Sequence, residues 1–148
     1  MKRVAIIGAT GYTGFELIRM LLSHPGAKIT VLTSEQYSDL PPAQAFPPFK
    51  GKLEGAAFGK MEKLIGAKFD LAFLALPHTV SSSVAGALLG RGVPVVDLSA
   101  DFRFRSIPLY ESVYGVAHKC PELATKAVYG LPEIYRDEIR KTRLTAVP

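Results

Sequence analysis

The sequence predicts an α/β fold, a mostly parallel sheet with helices on both faces, and three observations carry that expectation. Arg3-Val4-Ala5-Ile6-Ile7 is a nearly continuous apolar and β-branched run, as in a strand buried on both faces. Gly8-Ala9-Thr10-Gly11-Tyr12-Thr13-Gly14 follows at once, and Phe15, Leu17, Ile18, Leu21 and Leu22 then recur at helical spacing. Further on, apolar strand-like runs alternate with helical patterns, the rhythm of a parallel sheet wound on both sides.

In chain order, the first helix is expected to end near Ser23-His24, where Pro25-Gly26 breaks it. Lys28 to Thr33 is the second strand, parallel to the first through a right-handed crossover. Leu40 to Phe49 holds Pro41, Pro42, Pro47 and Pro48 and is expected to be a stiff connecting loop. Leu53 to Phe58 suggests a short edge strand, and Lys60 to Ile65 one or two turns of helix. Phe69 to Leu76 is a further buried strand, and Val80 to Leu89 a helix for which Thr79 is a candidate N-cap. Val93 to Leu98 is the next strand, with Pro94 near its start where proline is tolerated. From Ser99 to Glu133 the rhythm fails; the stretch carries Asp101, Arg103, Arg105, Tyr110, Tyr114, His118 and Tyr129, and an irregular segment this long is usually functional. Ile134 to Thr142 has the pattern of a charged surface helix, and Leu144 to Val147 that of another buried strand running to Pro148.

The bulk composition bounds the function. With 148 residues, 48% of them hydrophobic and 21% charged, the chain has the make-up of one ordinary globular domain spanning residues 1–148. The net charge of +5 is scattered, with no basic run of the kind that binds nucleic acid. No leader and no apolar run of membrane-spanning length stands out. Cys120, the sole cysteine, excludes an internal disulfide and fits a reducing, cytoplasmic setting. No metal-ligand spacing occurs.

Strand, glycine turn, helix is the context of a dinucleotide site. The first glycine allows the tight turn, the second lets a pyrophosphate approach the backbone, and the third lets helix and strand pack closely. A tight βα turn that binds nothing would use the same glycines, but the flanking elements favour the cofactor. Gly8, Thr10, Gly11, Tyr12, Thr13 and Gly14 are therefore candidates for the pyrophosphate, with Thr33 and Ser34 at the second strand's tip for the adenosine ribose. The tip carries hydroxyls rather than an acid, which leans towards NADP(H), although Glu35 follows at once and no Lys or Arg lies between Ser34 and Phe49. In open parallel sheets ligands bind beyond the carboxyl ends of the strands, so Pro77, His78 and Ser99 to Arg103 are expected on the same rim. His78 suits an acid, a base or an ordinary loop histidine. Arg103 suits a carboxylate or phosphate clamp oriented by Asp101, with Ser99 as a neutral donor, or equally a salt bridge to Asp101 or Asp97. Cys120 lies in a loop with nothing nearby to activate it.

Four strings together carry a family resemblance: Gly8–Gly14, Leu74-Ala75-Leu76-Pro77-His78, Val96 to Arg103, and Tyr129-Gly130-Leu131-Pro132-Glu133. In these the chain resembles N-acetyl-γ-glutamyl-phosphate reductase over essentially its whole length; aspartate-semialdehyde dehydrogenases share the first string but not Asp97 to Arg103. The resemblance implies a Rossmann-like doubly wound fold and an NADPH-dependent reductive dephosphorylation in arginine biosynthesis, acting on a small-molecule acyl phosphate in a homo-oligomer. It also implies that Ser99, Asp101 and Arg103 face substrate, and that the nucleophilic cysteine lies just beyond Pro148, in a catalytic region this chain does not contain. Two departures stand out: Glu35-Gln36 where members often carry a basic residue, and Val113 where an aromatic often precedes the Tyr-Gly pair. Two other readings belong beside this one: a relative acting on a carrier-bound aminoadipyl phosphate in lysine biosynthesis, and a nucleotide-binding module with no catalysis.

Overall fold

In a computed structural model describing residues 1–148, the chain forms two compact units, Met1–Leu71 and Ala72–Pro148. The first is built on β1 (Lys2–Ile7), α1 (Tyr12–Leu22) and β2 (Ala27–Leu32). β1 and β2 pair in parallel from Lys2 opposite Ala27 to Ile6 opposite Leu32, with an irregularity between Val4 and Ala5. Val4, Ala5, Ile6 and Ile7 are at most 1% exposed, as expected for a strand covered on both faces. α1 ends at Ser23, whose N–H reaches back to the Met20 carbonyl while the His24 N–H reaches Leu21, before the Pro25-Gly26 turn.

The proline-rich segment is more ordered than a connecting loop. It holds α2 (Pro42–Ala45), begun by proline where the first N–H has no partner to lose, and a 3₁₀ turn at Pro47–Phe49. Phe46 and Phe49 lie against Phe15 with centroids 5.3 and 4.9 Å apart, and Phe58 closes the cluster. The strand expected at Leu53 to Phe58 is absent. Leu53 and Gly55 sit at φ of +56 and +76°, which breaks an extended run, and only a single parallel bridge, Thr33 to Gly59, remains. The helical turns expected near residue 60 form a 3₁₀ turn, Met61–Leu64.

The second unit contains four parallel strands in the order β3 (Leu71–Leu74), β4 (Val95–Asp97), β6 (Leu144–Ala146), β5 (Val128–Tyr129). α3 (Ser81–Gly90) joins β3 to β4, burying Ser81, Ser82, Ala85 and Leu88. Thr79 is not its N-cap. Its φ of +72° is left-handed, and Val80 takes the cap position without a side-chain bond. The stretch from Ser99 to Glu133 is also less irregular than expected, holding α4 (Ile107–Tyr114), α5 (Pro121–Ala124) and β5. α4 does carry start and stop signals: Ser106 Oγ accepts from the Leu109 N–H, Pro108 is in the first turn, and Gly115 ends the helix at φ +67°. α6 (Pro132–Lys141) buries none of its residues, as its charge pattern predicted.

Candidate functional site

In the first unit, the three motif glycines have different structural reasons. Gly8 has φ +82°, a conformation other residues adopt only with strain. A Cβ on Gly14 would lie 2.5 Å from the Gly8 carbonyl oxygen and 2.7 Å from Ala9 Cα, so only glycine lets α1 approach the turn. Gly11 is different: its Cβ would meet nothing nearer than Gly8 O at 3.9 Å. The protein's own packing does not require glycine there, whereas a ligand approaching the backbone would. Gly11 is also the N-cap of α1 and caps it with no side chain, and no acid stands in the first turn. The positive end of an 11-residue helix is thus left for an outside anion.

Thr33 and Ser34 are at most 5% exposed and are spent largely on holding this turn. Thr33 Oγ1 accepts from the Gly8 N–H at 3.1 Å, and its carbonyl from the Ala9 N–H at 2.9 Å. Thr10 Oγ1 and Ser34 Oγ share a hydrogen bond of 2.9 Å, and Ser34 Oγ accepts from the Tyr37 N–H. Tyr12 is 97% exposed and Thr13 is exposed. Thr10, Gly11 and Tyr12, with Phe15 and Phe46, line a cavity of about 460 Å³. Glu35, outside the sequence-derived set, accepts from the Met61 N–H at 3.2 Å.

In the second unit, a buried polar network follows β4. Asp97 is fully buried, accepting from the Ser81 hydroxyl, the Ser99 N–H and, at 2.7 Å, the Ser99 hydroxyl. Burial pushes its carboxyl above the usual range, against the hydrogen bonds of Ser81 and Ser99. Asp101 is also fully buried: one oxygen accepts from the Thr79 N–H at 2.8 Å and the Tyr110 hydroxyl at 2.9 Å, the other from the Ser82 N–H at 2.8 Å. Asp101 therefore caps α3 and pins the left-handed Thr79, and does not orient Arg103. Burial, then the bond to Asp101, pushes the Tyr110 hydroxyl well above its usual value. His118 Nδ1 accepts the Cys120 N–H, which puts the ring proton on Nε2, donating to the Asp101 carbonyl at 2.6 Å.

Arg103 pairs with neither aspartate. Its Nε donates to the Val147 carbonyl at 3.0 Å and a terminal nitrogen to the Leu98 carbonyl at 3.3 Å. Two of the guanidinium's five N–H groups are so committed, and the side chain stays partly exposed. Pro77 and His78 are exposed, the His78 ring lying 5.8 Å from that of Tyr114. Cys120 Sγ is 3.4 Å from the Ser82 carbonyl, and burial, then Glu122, pushes its thiol up, away from the reactive thiolate. No group of three or more His, Cys, Asp or Glu is placed to hold a metal ion. No helix is long and apolar enough to cross a membrane.

These features agree with comparisons to known proteins. N-acetyl-γ-glutamyl-phosphate reductases of Pseudomonas fluorescens and Janthinobacterium are 47% and 45% identical to the chain over its whole length. The chain spans 43% of the length of each of these reductases. Among solved structures, aspartate semialdehyde dehydrogenase II of Vibrio cholerae, complexed with ASA, superposes with a TM-score of 0.70 at 19% identity, covering 100% of this chain and 42% of that one. The Candida albicans aspartate semialdehyde dehydrogenase with NADP gives 0.65 at 14%, covering 99% of this chain and 42% of that one. At such identities these show the fold, the α/β Rossmann-like arrangement the sequence predicts. Residues 3–142 match the family model for the NAD-binding domain of semialdehyde dehydrogenases, and the chain belongs to that family.

Proposed function

We propose that this chain is the NADP(H)-binding part of a reductase that converts N-acetyl-γ-glutamyl phosphate to the corresponding semialdehyde with release of phosphate, in arginine biosynthesis. The observation that carries the reading is the α1 N-terminus, uncapped by any side chain, with open space at Gly11 beside a Gly14 that the fold itself requires. That cradle fits a dinucleotide pyrophosphate. The backbone from Gly8 to Gly14, with Thr10, Tyr12 and Thr13, holds the pyrophosphate, and Thr33 and Ser34 shape the adenosine side. The cofactor, when bound, supplies a hydride. Arg103 offers its uncommitted N–H groups to an anionic group of the substrate, while Asp101 and Ser99 keep the segment that carries it in shape. The 45–47% identity to named reductases along the whole chain supports the substrate class. The same reading makes the whole protein a cytoplasmic homo-oligomer acting on a small molecule, without nucleic acid or membrane.

Titration calorimetry with NADPH tests the site. Wild type binds, and Gly11→Val, whose Cβ meets only ordinary contacts in the protein, weakens binding at least tenfold while the fold persists. Equal binding by both proteins would remove the assignment.

A further inference from the structure

The tip of β2 is locked to the glycine turn rung by rung. Thr33 N–H donates to Ile6, Gly8 N–H to Thr33 Oγ1, Ala9 N–H to the Thr33 carbonyl, and Thr10 and Ser34 share a hydroxyl bond. Glu35 is the next residue, so its Cα stands one step beyond the lock. In a dinucleotide site an acid at this place accepts from the adenosine ribose hydroxyls and favours NAD, whereas a 2′-phosphate there meets a repelling carboxylate. The usual remedy, a cation on the same segment, is missing between Ser34 and Phe49. Lys63, from further along, is engaged by Asp39 at 3.0 Å. The structure instead turns the acid elsewhere: Glu35 Oε1 accepts the Met61 N–H at 3.2 Å, at the start of the 3₁₀ turn Met61–Leu64. That N–H begins a helical turn, where a carboxylate is stabilised.

We propose that Glu35 determines specificity at the 2′ position of the dinucleotide, and that its bond to the Met61 N–H holds the carboxylate off the ribose and so admits NADP(H). The inference rests on the glycine turn being the dinucleotide site. Cofactor selection here works by withdrawing an acid rather than by supplying a base.

The test compares dissociation constants for NADPH and NADH by calorimetry at one fixed salt concentration. Met61→Pro deletes the N–H together with the methionine side chain. The preceding Lys60 is already extended, at φ −71° and ψ 167°, as a residue before proline prefers, and proline suits the first position of a helical turn. Met61→Ala keeps the N–H and serves as the control. Wild type and Met61→Ala should prefer NADPH equally. Met61→Pro should lower that preference at least fivefold, and adding Glu35→Gln to it should restore the preference. Glu35→Asp keeps the charge but is one methylene too short for the tether; it should shift preference the same way, and it decides the matter should Met61→Pro fail to fold. An unchanged NADPH-to-NADH ratio in Glu35→Asp and in any folded Met61→Pro, or a wild type that prefers NADH, overturns the tether while leaving the dinucleotide site standing. A wild type that binds neither dinucleotide overturns both.

Discussion

Gly11 and Gly14 look alike in the motif but differ physically, and substitution separates them. Gly14→Ala drives a methyl into the Gly8 carbonyl and Ala9, an overpacking expected to cost about 1–3 kcal/mol, whereas Gly11→Ala adds a methyl to open space and should cost less, no more than the preference of an N-cap for glycine over alanine. Urea unfolding of the two variants checks this; equal losses would mean that Gly11 too is a packing glycine. Cys120 gives a second residue-scale expectation. Because burial pushes its thiol up, iodoacetamide at neutral pH should modify it more slowly than free cysteine, measured by mass spectrometry. Thr33 and Ser34 show how a residue choice serves a site indirectly. Both are buried, and their hydrogen bonds hold Gly8 to Thr10 in shape.

At the scale of elements, burial separates segments that sequence pattern alone treats alike. The proline-rich segment looks like a linker, yet Phe49 within it is 2% exposed and stacked on Phe15. Phe49→Ala should therefore cost about 3–5 kcal/mol. α6 is kinked at Tyr135, where φ is −111° and ψ 28°, and buries nothing, and Ile134 on it is 66% exposed, so Ile134→Ser should shift stability by no more than about 0.5 kcal/mol. Chemical denaturation of the two variants reads both values, and comparable losses would contradict the burial of one element or the exposure of the other. α3 shows a cap supplied from a distance. Its own N-cap residue is Val80, and the carboxylate that accepts the Ser82 N–H arrives from Asp101 after β4. Asp101→Asn, which replaces one acceptor oxygen with a donor facing N–H groups, should cost about 1–3 kcal/mol.

For the molecule as a whole, two carboxylates tilt stability with pH in opposite senses. Asp70 is held down to about 2 by hydrogen bonds from the Arg3 guanidinium and backbone N–H. Its contribution is present above the unfolded carboxylate value near about 4 and is lost as pH falls through 2. Asp97 is raised by burial, so its contribution is full below the unfolded value and is lost as pH rises through the folded one. Asp70→Asn should flatten the acid limb of the stability curve. Asp97→Asn should be more stable relative to wild type at pH 7 than at pH 4. Denaturant midpoints at several pH values test both, and an unchanged curve in either variant would discount that group. The 148-residue chain should also leave NADPH oxidation at background when given an acyl phosphate, since its one thiol is held away from the thiolate. Turnover abolished by Cys120→Ser would reverse that expectation.

What the sequence determined by itself was local. Apolar runs named five of the parallel strands but missed the two-residue β5 and suggested one at Leu53 to Phe58 that does not form, and the glycine spacing set directly after a strand named the turn, because these depend on side-chain periodicity and on φ/ψ freedom a few residues apart. It also carried the family, through strings that keep their order along the chain. What only the tertiary structure decided were the partners of polar groups distant in sequence. Arg103 was legible as a clamp or an ion-pair partner, yet it holds the carbonyls of Leu98 and Val147 instead. Asp101 was legible as important, but its bonds to Thr79, Ser82 and Tyr110 depend on which loops the fold brings beside it. Glu35 could be seen at the strand tip, while its tether to Met61, 26 positions away, could not. A hydrogen bond is short and directional, and its partner is chosen by the packing of the whole unit, which no pattern along the chain encodes.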